Sequence, residues 1–240
     1  MKVAEDRRFA DYRTDSTLDL RQTKVALKRL RNLTRSGPYD QLDIDLSVKE
    51  TCKQGGEIEV VFGQQRRNNV RLLLLMDVGG TMDPYFEPVS RLLTALHEER
   101  GLRDFRSYYF HNSIYDTLGR TARLYAGEPV PTGDVLRMLD DRWKVVIVGD
   151  GAMHPAELMN PRGNINPRYE SETRGIDWFI RIANHFDRTV WLNPDPPRIW
   201  AHSQTCRVLQ RIFPMFHLCV DGIEGAVGAL VGSRQTSPLH

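Results

Sequence analysis

Four oxygen-bearing side chains stand out along the chain: Asp77, Thr81, Thr132 and Asp150. Carboxylates and hydroxyls are hard donors, the kind that suit Mg²⁺ or Mn²⁺. A glycine pair, Gly79-Gly80, separates Asp77 from Thr81, and Asp150 lies between Gly149 and Gly151. Each aspartate ends an unbroken apolar run, Leu72 to Met76 in the first case and Val145 to Val148 in the second. Runs this short suit strands buried on both faces and cannot span a membrane. An acid at the end of a buried strand is costly without a partner. Two of them on neighbouring parallel strands repel each other unless a cation lies between. The pairing therefore points to a metal crevice. The competing reading of the single residues is helix capping, by Asp77 for the segment after it and by Thr132 for its own helix.

The elements that must position these groups follow an alternating pattern. After Asp77, Phe86, Val89, Leu92, Leu93 and Leu96 recur at helical spacing behind Pro84. Asp104 to Phe110 carries aromatic strand formers, and Ser113 to Leu118 is expected to pair back on it, with His111-Asn112 at the turn. Pro131-Thr132-Gly133-Asp134 opens a short helix, and the strand to Val148 follows. Met153 to Thr173 reads as a long polar loop, a rim or lid above the crevice. Three more units complete the sheet: a helix from Ile176 to Phe186, a strand from Thr189 to Leu192, and a helix–strand–helix run through Thr205 to Phe213, Phe216 to Val220 and Ile223 to Val231. The expected fold is a doubly wound, mostly parallel α/β sheet with helices on both faces. In such sheets ligands bind at the carboxyl ends of the strands. Trp178, Trp191 and Trp200 read as packing or rim residues.

A helical amino-terminal extension precedes that unit, giving expected boundaries of 1–56 for the extension, 57–233 for the α/β domain and 234–240 for a frayed tail. Within the extension a helix is expected from Leu18 to Arg35 and a second from Leu46 to Lys53, closed by Gly55-Gly56. Glu57 to Phe62 alternates as a strand. Residues 1–35 hold ten Lys or Arg against five Asp or Glu, a net +5 that leaves −3 for the rest of a chain totalling +2. Charge so localised favours an interaction arm over a nucleic-acid-binding fold. Arg21, Lys24, Lys28 and Arg31 recur on one side of the first helix, either as a solvated face or as a stripe for an acidic partner. Three widely spaced cysteines, Cys52, Cys206 and Cys219, make no metal-ligand pattern and fit a reducing compartment. With no apolar signal core and no transmembrane run, a cytoplasmic location is expected.

The order Asp77-x-Gly79-x-Thr81, Thr132, Asp150 resembles the metal-ion-dependent adhesion site (MIDAS) of von Willebrand factor type A (VWA) domains. More narrowly, the chain resembles the bacterial CoxE-like group. The stretches carrying that likeness are Asp11-Tyr12-Arg13, Leu18 to Gln22, Asp77 to Pro84, Tyr108 to Asn112, Val148-Gly149-Asp150 and Val190 to Pro194. The resemblance implies Mg²⁺ (or Mn²⁺) held by Asp77 largely through water, directly by Thr81, and by Thr132 and Asp150 from the second and third loops. The usual pattern has a serine where Gly79 stands, so weaker metal binding is expected. It further implies an open metal position that takes a partner's carboxylate, a MoxR-type AAA+ ATPase as partner, and a chaperone-like role toward a client metalloenzyme, without catalysis.

A second resemblance competes. The run through Asp77, Gly79, Gly80 and Thr81 also resembles the first motif of haloacid-dehalogenase-type phosphatases, and Val146 to Gly151 resembles their fourth. There Asp77 would be the nucleophile toward a Mg²⁺-bound phosphate. That family's second aspartate is its general acid and base, and Gly79 cannot carry a proton.

Overall fold

Helix α1 (Leu20–Leu27) begins the part of the chain that the computed structural model describes, namely residues 20–30, 33–35, 39–64, 66–98, 102–124, 127–164 and 171–232. A 3₁₀ turn to Leu30 ends it, and Leu33–Arg35 then forms a strand, β1, so the helix expected to reach Arg35 stops short. The reason is tertiary: β1 pairs antiparallel with β4 (Arg66–Asn68), and long-range pairing overrides local helical spacing. Between them lie β2 (Gln41–Leu42), α2 (Ile44–Lys53) and β3 (Phe62–Gly63). Asp43 caps α2 by accepting the Leu46 N–H at 3.1 Å, and Gly55 and Gly56 leave the helix with positive φ. Of the expected 57–62 strand only Phe62 is paired, with Gly63 beside it, against β2, and Ile58 is 82% exposed. Without a buried face, the alternation there has nothing to enforce it.

The central sheet is built from β5 (Arg71–Asp77), β6 (Asp104–Phe110), β9 (Lys144–Val148), β10 (Arg188–Asn193) and β11 (Met215–His217), with β7 (Thr117–Leu118) and β8 (Val130–Pro131) paired beside it. All five strands run parallel, in the order β11-β10-β9-β5-β6. The intervening helices are α3 (Phe86–Glu98), α4 (Thr132–Met138), α5 (Pro155–Met159), α6 (Gly175–His185), α7 (Pro197–Trp200), α8 (Gln204–Ile212) and α9 (Val220–Val231). This is the doubly wound α/β architecture expected, with two differences. Ser113 to Leu118 does not form a hairpin with β6; only the bridges Tyr109–Gly119 and His111–Ser113 join them, while β7 turns to β8. The segment from Met153 to Thr173 is not wholly loop, because α5 lies within it.

The strand period of two sorts the core into two layers. Leu72, Leu74, Met76, Val146, Val148, Val190 and Leu192 face α1, α3 and α9. Leu73, Leu75, Val145, Ile147 and Trp191 face α4, α6 and α8. Ala26, Leu27 and Leu30 are buried in the first layer, so α1 packs on the α/β unit rather than standing off it. Trp178, Trp191 and Trp200 are all buried. No described helix is long and apolar enough to cross a membrane.

Candidate functional site

After β5 the chain crosses by α3 to β6 on one side, then returns to β9 on the other. The carboxyl ends of β5 and β9 therefore flank the switch point of the sheet, where parallel α/β folds leave a crevice. Met76 pairs with Val148, which sets Asp77 opposite Gly149 and one residue from Asp150. A Cβ at Gly149 would lie 3.0 Å from the Asp77 Cβ and 3.3 Å from its Oδ2, so a side chain there would crowd Asp77 and glycine suits the close approach of the two strand ends.

Both acids are buried, Asp77 at 3% and Asp150 at 5% exposure. Asp77 Oδ1 accepts the Asn112 N–H at 2.9 Å. Burial nonetheless pushes its carboxyl well above the usual carboxylate range, and the charge of Asp150 adds to the push. Asp150 is raised as well, again by burial first, against the opposing help of the Thr81 hydroxyl and the Ala152 N–H, the latter at 2.8 Å. The Thr81 hydroxyl thus lies on the Asp150 side of the crevice. Gly79 (φ 82°, ψ 173°) and Gly80 (φ 58°) turn the loop through conformations that side chains resist. A serine could not simply replace Gly79, because of that backbone rather than of space: its Cβ would only touch the His111 ring, at 3.6 Å.

Thr132 is the first residue of α4, preceded by Pro131 at the cap position, so it is not an N-cap. Its buried hydroxyl donates to the Tyr115 carbonyl at 2.5 Å. The Tyr115 hydroxyl donates to the Glu157 carbonyl at 3.2 Å, and the Glu157 carboxylate accepts the Asn112 amide at 3.1 Å. Asn112 closes the chain on Asp77. One continuous network therefore joins the second-loop threonine to the first-loop aspartate. His111 is hydrogen-bonded at its turn, Nδ1 to the Val78 carbonyl at 2.7 Å.

Sequence reasoning missed Asn112, Glu157, Tyr85 and Asp195. Glu157 is 1% exposed and sits in a capping box with His154 at the start of α5, an uncommon capping residue that hides the motif. Asn112 has a left-handed backbone (φ 57°), which its identity at a turn permits. Tyr85 donates to Asp195 Oδ1 at 2.5 Å, and that bond above all raises its phenol to about 12. Asp195, beyond β10, brings a further acid to the same rim. Beside the loop, a cavity of about 460 Å³ is lined by Asp77, Gly79, Met82, Phe86, Leu93 and Tyr109, among others, with Phe86 exposed at its mouth.

The donor types fit a hard cation: two buried carboxylates that burden each other, with the Thr81 hydroxyl between the loops. Among the described residues no three or more His, Cys, Asp or Glu gather into a group that could hold a metal. A cation here would rest on two carboxylates, hydroxyls and water. Of the basic stripe, Arg21 on α1 and Lys28 in the 3₁₀ turn after it are exposed, Lys24 pairs with Glu98 of α3, and Arg31 lies outside the described residues.

A five-stranded parallel α/β sheet with Asp77 and Asp150 at its switch point is the architecture of a VWA-type domain. Residues 6–125 match the family described as VWA domain containing CoxE-like protein, and the chain belongs to that family. Comparison with curated proteins and with solved structures gave no match.

Proposed function

We propose that this chain is a non-enzymatic, metal-dependent protein-interaction domain that works with a MoxR-type AAA+ ATPase in maturing a client metalloenzyme or assembling its complex. The observation carrying the reading is the pair of buried, mutually destabilising carboxylates at the switch point, which a cation would relieve. Asp77, Asp150 and Thr81 would hold Mg²⁺ or Mn²⁺, with Thr132 behind them and Gly79 leaving a position to water, so weak binding follows. When bound, the cation supplies an open position for a partner's carboxylate. The chain's own residues do the positioning. Asn112 fixes the Asp77 carboxylate, Ala152 and Thr81 fix that of Asp150, and Tyr85 ties the first loop to Asp195. The adjoining apolar cavity, with Phe86 at its mouth, suits an acidic side chain that has an apolar neighbour. Gly79 stands where a phosphatase would need its proton carrier, which favours binding over catalysis. Arg21, Lys24, Lys28 and Arg31 are assigned to an acidic face of the partner. The working compartment on this reading is the cytoplasm, where the ATPase finds its nucleotide.

The test is affinity capture from host lysate in Mg²⁺ and in chelator, with the native chain and with Asp77→Ala. Recovery of an AAA+ ATPase only with Mg²⁺ and intact Asp77 supports the reading. Capture in every condition removes the metal as the bridge, and capture of nothing specific removes the interaction role.

A further inference from the structure

The opposite end of the sheet carries a second concave site. A groove of about 490 Å³ is lined by Arg71, Arg103, Arg106 and Arg120, with Asp104 as its one acid and Trp143 and Met138 among its apolar residues. Four arginines against one aspartate give an excess of three positive charges, more than the +2 of the whole chain. Arg71 is paired with Asp140 at 2.9 Å, and Arg106 lies 3.8 Å from Asp104. Arg103 and Arg120 make no ion pair among the described residues. Arginine's planar fork matches carboxylates in pairs, so such a groove selects an anion that can accept bidentate bonds.

The groove borders an open sheet edge. Among the described residues β6 is the last strand, and outward pairing touches it only through the two bonds between Tyr109 and Gly119, at 2.9 and 2.7 Å, and the turn bridge at His111. Alternate residues of a strand direct their backbone groups to the same side. Tyr109 faces outward, so Phe105 and Ser107 do too. The Phe105 N–H is satisfied by the side chain of Asp104 at 2.9 Å, which leaves the Ser107 N–H and carbonyl to the outside. Charges on an edge strand often serve only to repel other strands. Here they line a hollow with Met138, 62% exposed, beside it, a shape that receives a chain rather than repelling one.

We infer that this groove docks an extended acidic segment of a protein partner, which adds a strand to the outer edge of β6 at Ser107 and sets its carboxylates on Arg103, Arg106 and Arg120. Backbone bonds supply affinity in this mode and the alternate side chains supply selectivity. Six residue steps of β5 at about 3.3 Å each separate Arg71 from Asp77, roughly 20 Å, so the groove is distinct from the metal crevice and does not depend on it.

The probe is a short fluorescent peptide alternating Glu and Val, followed by anisotropy in chelator, beside the same peptide N-methylated along its pairing edge. Binding is expected to fall about tenfold for the N-methylated peptide and by a similar factor for the Arg106→Ala, Arg120→Ala double variant. It is expected to weaken with salt and to be unchanged by Asp77→Ala, which separates this inference from the metal reading. Equal affinity for the N-methylated peptide overturns strand addition. Undiminished binding by the double variant overturns the role of the arginines, and no binding of either peptide overturns the groove as a docking site.

Discussion

Replacing Asp77 by asparagine separates a site built for a cation from one built for structure. In the native crevice the Asp77 carboxylate is 3% exposed, accepts the Asn112 N–H at 2.9 Å, and faces the strand end that carries Asp150. Asparagine has the same shape. Its carbonyl oxygen keeps the Asn112 bond, although a neutral acceptor weakens it by about 1 kcal/mol relative to a charged one. Its amide takes the place of Oδ2 on the Gly149 side, from where it is expected to donate to the Asp150 carboxylate. A hydrogen bond to a charged group contributes about 1.5–3 kcal/mol where like charges stood before. The net expectation at neutral pH without metal is a gain of about 0.5–2 kcal/mol, since the gain exceeds the loss. For a domain of this size each kcal/mol moves the melting temperature by about 2–4 °C, so a rise of roughly 1–8 °C is expected. The assay is thermal unfolding by circular dichroism, in chelator and in excess Mg²⁺. The native chain is expected to gain stability in Mg²⁺ and Asp77→Asn to gain none. A variant that melts lower than native in chelator, or that keeps the Mg²⁺ response, refutes the reasoning, because either result means the charge is compensated by protein alone.

Two further outcomes follow from the same crevice. Asp77 and Asp150 hold protons more tightly folded than unfolded, so their contribution to stability is full below the unfolded value of 3.8 and is lost as pH rises through the raised folded values. The native chain in chelator should therefore lose stability relative to Asp77→Asn as pH climbs from about 4, while Mg²⁺ binding, which needs both carboxylates ionised, tightens over the same span; melting curves across a pH series check both, and a constant difference between the two chains contradicts the argument. Gly79→Ser restores the serine of the adhesion-site pattern but forces it to a backbone of φ 82° and ψ 173°, at a cost of about 1–3 kcal/mol; the expected result is a lower melting temperature with no tightening of Mg²⁺ by titration calorimetry, and a stable variant with tighter binding counts against it.

How far the sequence could be read depended on whether burial enforced the pattern. Leu72 to Met76 and Val145 to Val148 were legible because a strand covered on both faces tolerates nothing polar, and their register brings Asp77 and Asp150 together. The Glu57 to Phe62 alternation is equally regular, yet no layer among the described residues covers it. Leu33 to Arg35 continued a helical spacing, and only the distant pairing with Arg66–Asn68 made it a strand. The site divides along the same line. Residues on the loops after strands carried their own signal of acid beside glycine. Asn112 and Glu157 carry none, because their importance lies in contacts across 35 and 45 residues that no local spacing announces.

The crevice and the groove together make the domain electrically polar along its strands. Asp77, Asp150, Glu157 and Asp195 gather at the carboxyl end, and Arg71, Arg103 and Arg106 lie at or near the amino end of β5 and β6. The two ends are joined by β5, the most deeply covered strand, whose buried run from Leu72 to Asp77 is fixed in register to neighbours on both sides. A strand so held is a rigid frame with one register, and it sets the two sites at a fixed separation. Both ends would select acidic partners, but by different means. A cation at the crevice would coordinate one carboxylate, whereas the groove would take a run of them on an open edge. That difference predicts opposite responses to two simple reagents: chelator releases a partner held at the crevice and spares one at the groove, and salt weakens the groove more than the crevice. A partner released by both at once would bridge the two ends, and one released by neither would lie on some other face, which would refute both assignments for that partner.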